Sequence, residues 1–137
     1  MADSPAQIAG LLVTHGALGT ELIRVVESIL GPQEDIAVVS NTGTSMESLT
    51  RKIRTQIESI QAEDLFIFVD LLGGSCSQVC QLVRQEHPST VIFSGVNLPM
   101  LLEFAYKRRL LEPVELAAEV ARKGREGIQC LSLPHSC

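Results

Sequence analysis

Short apolar runs alternate with longer amphipathic stretches along this chain, and that alternation constrains the fold more than any other feature. Residues 8–14, 36–39, 65–69 and 91–93 are apolar almost throughout. Each run is too short for an ordinary helix and reads as a strand buried on both faces. Between the first two, Leu18, Leu22, Val25, Val26 and Ile29 repeat with helical spacing until Gly31-Pro32. Met46, Leu49, Ile53, Ile57 and Ile60 step by three and four, with Arg51, Lys52 and Glu58 off that face. Further helices are expected over 75–86, closed by His87-Pro88, over 97–109 with Pro99 in the first turn, and from Pro113 to Gly124 or Gly127. Strand–helix–strand repetition with apolar strands predicts an α/β fold: a doubly wound, mainly parallel sheet, helices on both faces, right-handed crossovers. The expected strand order is 2-1-3-4. The last segment, 128–133, alternates apolar and polar residues, as an edge or partner-paired strand does.

In that order, strands one and three are neighbours and their loops diverge at the switch point, where such folds bind ligands. His15 ends the first run and Gly16 frees the backbone to turn. Asp70 ends the third run and leads into Leu71-Leu72-Gly73-Gly74-Ser75. Gly73 and Gly74 admit close approach of a ligand to the backbone. Ser75 is expected to cap the next helix, whose N-terminal N–H groups suit a phosphate. An imidazole, a carboxylate and an anion cradle in one crevice point to a phosphohistidine. A carboxylate accepting from one ring N–H leaves the other nitrogen free to attack phosphorus and stabilises the charge that develops. The Gly74 backbone and the Ser75 hydroxyl then hold the transferred oxygens. Thr14, Gly16 and Asn97 are expected to support the site.

Bulk properties agree. The chain has 137 residues, which predicts one domain over 1–137. Its net charge is −5 and it has no Lys/Arg-rich block, which argues against nucleic acid or an anionic membrane surface as partner. The N-terminus shows no secretory signal, and no apolar run is long enough to span a bilayer. Cys76, Cys80, Cys130 and Cys137 lack zinc-ligand spacing, so no metal is expected and the bland reading is cytoplasmic free thiols. A thiolate at Cys76, in a helix first turn, would be a redox switch. His87 reads as part of a solvated turn, His135 as part of a frayed tail, and Arg108 and Arg109 as a solvated helix end, with charge for a partner as the alternative.

These motifs resemble those of the mannose-type (mannose/fructose/sorbose) enzyme IIA of the bacterial sugar phosphotransferase system. Thr14-His15-Gly16, Val69-Asp70 with Gly73-Gly74-Ser75, Gly95 to Leu101, and Gly124 to Ile128 carry the resemblance, in order along nearly the whole chain. It implies that His15 accepts phosphate from the phosphocarrier HPr on Nε2 while Asp70 holds Nδ1. It implies onward transfer to a histidine of an enzyme IIB, and contact between Ser75 and the phosphoryl group. It further implies a cytoplasmic protein that uses no cofactor and meets the membrane only through a permease complex. A homodimer, with the last strand exchanged as an antiparallel edge strand, is also implied. Leu71, Leu72 and Cys76-Ser77-Gln78 depart from the residues frequent in the family. The sequence stops at Cys137 without a linker, so a separate IIB polypeptide is expected.

Two other roles keep this chemistry: a regulatory module read by its phosphorylation state, and the phosphotransfer subunit of a dihydroxyacetone kinase. The Asn97-Leu98-Pro99 turn favours the mannose type over the latter. A nucleotide-binding protein or hydrolase is disfavoured, since neither G-x-x-x-x-G-K-[ST] nor G-x-S-x-G occurs.

Overall fold

The computed structural model describes residues 8–132. Its elements run β1 (Ala9–Thr14), α1 (Leu18–Leu30), β2 (Ile36–Ser40), α2 (Met46–Ser59), β3 (Leu65–Val69), α3 (Gly74–Glu86), β4 (Thr90–Phe93), α4 (Leu98–Lys107) and α5 (Pro113–Glu126). The strands form one sheet in the order β2-β1-β3-β4. Every neighbouring pair is parallel, with Leu11 lying between Ala37 of β2 and Ile67 of β3.

Alternation along the strands builds two cores. Leu11, Val13, Ile67 and Val69 face α2 and α3, meeting Leu49, Ile53, Val79 and Val83. Leu12, Phe66 and Phe68 face the other way, onto Val26, Leu101, Phe104, Leu116 and Val120 of α1, α4 and α5. β1 and β3 are therefore buried at every position, and apolar at all but Thr14, because both their faces are covered. All four phenylalanines gather on the second face, with Phe68 centred 5.1 Å from Phe104 and 5.2 Å from Phe93. Burying such a ring contributes about 2–3 kcal/mol, so this layer holds α4 firmly against the sheet.

The expected antiparallel fifth strand is not formed: residues 128–132 carry no strand, and Leu133 lies outside the described residues. The Ile128 N–H and the Gln129 side chain donate instead to the Arg125 and Glu126 carbonyls at the end of α5. A strand exists only against a hydrogen-bonding neighbour, and in the single chain this segment has turned back on its helix.

Arg108, expected at a solvated helix end, is instead 3% exposed. One guanidinium nitrogen donates to the Ile8 carbonyl at 3.0 Å, and the other to Gln33 Oε1 at 3.1 Å and the Glu34 carbonyl at 2.6 Å. Its Cζ also lies 5.5 Å from the centre of the Phe104 ring. Burial pulls its pKa down to about 10, against the ordinary value of 12.5, with the nearby Arg109 charge adding to the effect. It ties the end of α4 to the segments that enter β1 and β2.

Candidate functional site

β1 and β3 end level with each other, Val13 beside Val69. The chain leaves them at His15 and Asp70, which meet as the proposed order requires. The Asp70 carboxylate accepts from the His15 backbone N–H at 3.0 Å. His15 Nδ1 lies 3.1 Å from Oδ1 and 3.0 Å from Oδ2 of the same carboxylate. Burial alone would push the Asp70 carboxyl up, but the hydrogen bonds from His15 outweigh it and hold the carboxyl below its ordinary value. An ionised carboxylate only accepts, so the ring proton sits on Nδ1. Nε2 then carries the lone pair, and it makes no hydrogen bond among the described residues. The His15 side chain is 48% exposed while that of Asp70 is 11% exposed. The carboxylate is thus a sheltered support for an open imidazole.

Thr14 fixes where His15 starts. Its buried hydroxyl accepts from the Gly19 N–H at 2.9 Å, and its carbonyl accepts from the Asn41 N–H at 3.0 Å. A Cβ on Gly19 would stand 2.7 Å from Thr14 Oγ1 and 2.8 Å from Val38 Cγ1. Only glycine lets α1 press this closely on β1. Gly16 makes the tight turn between them with φ +56°.

The loop after Asp70 reaches α3 through Gly73 and Gly74, at φ +86° and +80°, a region that penalises side chains. Ser75 does not cap α3, contrary to expectation. The helix already begins at Gly74, Gly73 occupies the cap position, and no side chain accepts from the first turn. The opening N–H groups of α3 therefore have no intrahelical acceptor, and the Ser75 hydroxyl makes no hydrogen bond among the described residues. These donors stand a few residues from Asp70 and are open to an anion.

Asn97 is placed differently. Its Oδ1 accepts from the Met100 N–H at 3.1 Å, capping α4, and its Nδ2 donates to the Gly124 carbonyl at 3.3 Å. Its side chain joins α4 to α5. Any help it gives the crevice comes through the neighbouring Val96, whose N–H donates to the Val69 carbonyl at 3.0 Å.

The thiols do not make a switch. Cys76 and Cys80 are free and buried. Burial, and then the Asp70 charge, raise the Cys76 pKa, overriding any help from the helix N-terminus. Burial pushes Cys80 up to about 12. Cys130 is disulfide-bonded, which corrects the reading of a free thiol there, while Cys137 and His135 lie outside the described residues.

A profile of the family described as "PTS system fructose IIA component" (EIIA-man) matches residues 10–121, strands, site and helices together. The chain belongs to this family. It is 30% identical over 128 residues to the "PTS system mannose-specific EIIAB component" of Escherichia coli K12 and, equally, of Shigella flexneri. That alignment covers 90% of this chain and 39% of the relative, so the chain spans about two-fifths of the length of the curated relatives it matches.

Solved structures agree with the mannose-type IIA assignment. The mannose/sorbose specific IIA subunit from Enterococcus faecalis superposes with a TM-score of 0.83 at 25% identity, covering 96% of this chain and 99% of that one. A phosphotransferase system component EIIA from Streptococcus agalactiae gives 0.82 at 26% identity, covering 90% and 96%. The family assignment, the α/β class and the 2-1-3-4 order read from this IIA chain's sequence are all borne out. No helix of the described residues is long and apolar enough to cross a membrane. Sequence reading missed that Arg108 is structural and that α3 opens uncapped.

Proposed function

We propose that this IIA chain is a phosphocarrier in which His15 takes a phosphoryl group from HPr and passes it to an enzyme IIB. The observation that carries the proposal is one imidazole held at Nδ1 by the Asp70 carboxylate, 3.0 Å away, with Nε2 unspent. In the forward step the Nε2 lone pair forms a bond to phosphorus as the donor's phosphorus–nitrogen bond breaks. The released electron pair stays on the donor's imidazole. His15 keeps its Nδ1 proton and becomes positive, and Asp70 balances that charge without moving. The N–H groups opening α3 and the Ser75 hydroxyl hold the phosphoryl oxygens. Attack by a IIB histidine reverses the same bonds. The step calls for no metal or organic cofactor.

A cytoplasmic homodimer completes the proposal. β4 is an edge strand, and a groove of about 320 Å³ runs beside it between Ile92, Phe93, Asn97, Gly124 and Ile128. The alternating segment that begins at Ile128 suits pairing with the sheet of a second copy.

Incubation with enzyme I, HPr and labelled phosphoenolpyruvate tests the central claim. Wild type should take one acid-labile phosphoryl group. His15→Ala should take none while keeping its circular dichroism and thermal midpoint. Undiminished labelling of folded His15→Ala would end the assignment.

A further inference from the structure

Leu71 and Leu72 follow directly on the carboxylate that grips His15, yet neither is buried. Leu71 is 61% and Leu72 82% exposed, at the carboxyl end of a strand whose own residues are wholly buried. Two more apolar side chains open at the same end of the sheet: Leu18 at the start of α1 and Met46 at the start of α2, 43% and 41% exposed.

The charges there are unevenly spread. The segments leaving the strands at this end, 15–17, 41–45, 70–73 and 94–97, contain no Lys or Arg, and Asp70 is their sole carboxylate. The adjoining first helical turns add Glu21 and Glu47, and the end of α5, packed against Asn97, brings Lys123, Arg125 and Glu126 to the β4 side of this rim. Glu21 is itself paired with Arg24 at 3.3 Å. Asp70 is spent on His15. The loop that carries Leu71 and Leu72, with the first turn of α3 after it, therefore offers a partner apolar surface and no unspent charge. Exposed leucines beside a reacting group stay favourable only if something covers them during function. A protein that brings phosphorus to Nε2 of His15 has to approach over this rim.

We infer that Leu71 and Leu72 are the docking element by which this chain selects its phosphoryl donor, a protein whose phosphohistidine is ringed by apolar side chains. The inference rests on the phosphocarrier reading. Docking moves KM for a protein donor, because covering the two leucines stabilises the encounter and leaves the chemistry at Nε2 alone. A small phosphoryl donor needs no such contact.

The test compares two donors: HPr phosphorylated by enzyme I and phosphoenolpyruvate, and phosphoramidate, whose phosphorus–nitrogen bond breaks as His15 Nε2 bonds to phosphorus and whose nitrogen departs as ammonia. Leu72→Asp should lower kcat/KM for phospho-HPr about tenfold or more, through KM. The same variant should be labelled by phosphoramidate within about twofold of wild type. Leu72→Phe, which keeps the apolar surface, should stay within about threefold of wild type with both donors. Leu71→Asp should follow Leu72→Asp more weakly. A wild-type rate from phospho-HPr for Leu72→Asp would overturn the inference. Equal slowing of both donors would also overturn it, because the residue would then act on the site itself. Failure of wild type to accept phosphate from either donor would instead bring down the phosphocarrier reading.

Discussion

The two ends of the sheet use polar side chains in opposite ways. At the amino end, Arg108 is 3% exposed and its guanidinium serves three oxygen acceptors and an aromatic face. Its donors are committed, and it holds α4 against the entries to β1 and β2. At the carboxyl end, His15 uses one ring nitrogen on Asp70 and leaves the other open to solvent. A charged group that is buried with its hydrogen bonds made is part of the scaffold. A half-exposed group held on one side only is ready to react.

The sharpest test of this contrast is at Asp70. Asp70→Asn should slow phosphoryl transfer to His15 on the order of a hundredfold, because the amide neither fixes the ring tautomer as well nor balances its positive charge. Rapid-quench labelling measures it, and a wild-type rate would place Asp70 with the scaffold. The stability effect has a definite sign. The folded carboxyl titrates below its ordinary value, held there by His15 against the opposing effect of burial. Its contribution is therefore complete above the ordinary carboxylate range and is lost as pH falls through the lowered value. Denaturation of wild type and Asp70→Asn should differ at neutral pH and converge in acid.

Arg108→Ala should act the other way, on stability. It removes the guanidinium's hydrogen bonds to Ile8, Gln33 and Glu34 and its packing on Phe104, at a cost of about 3 kcal/mol. That corresponds to a fall of roughly 10 °C in thermal midpoint, read by calorimetry. Labelling of the folded fraction should be unchanged. A shift of under a degree would mean that water replaces the guanidinium freely.

Gly19→Ala should cost less, about 1–2 kcal/mol, because α1 has to back away from Thr14 and Val38. It should also lower the labelling rate modestly, since α1 begins three residues after His15. The smallest signal is expected from the thiols. Mass mapping after native alkylation at neutral pH should find Cys76 and Cys80 unmodified, and modification should appear only on unfolding. Prompt alkylation of Cys76 would reopen the thiolate reading.

Much of this was legible in the residues. β1 and β3 announced themselves because each position lies against one core or the other, which leaves Thr14, hydrogen-bonded to Gly19, as their one polar side chain. His15 and Asp70 were legible as a pair because each follows an apolar run, and parallel neighbours end together. Three features were not. Ser75 has the chemistry of a helix cap, but the chain turns at positive φ through Gly73 and Gly74 and the cap position falls at Gly73, two residues earlier. The period-two pattern after Ile128 describes a strand without supplying the edge that would pair it. Arg108 looks like any cation at a helix end, and nothing local reveals that its acceptors are Ile8, Gln33 and Glu34.

The sequence alone determined the four buried strands, the helices between them and the two strand-end residues that meet, because period and run length are local properties of a chain. Tertiary structure decided which polar groups are consumed and which are left over. That outcome depends on acceptors as much as a hundred residues away, and distance in the chain carries no record of proximity in space.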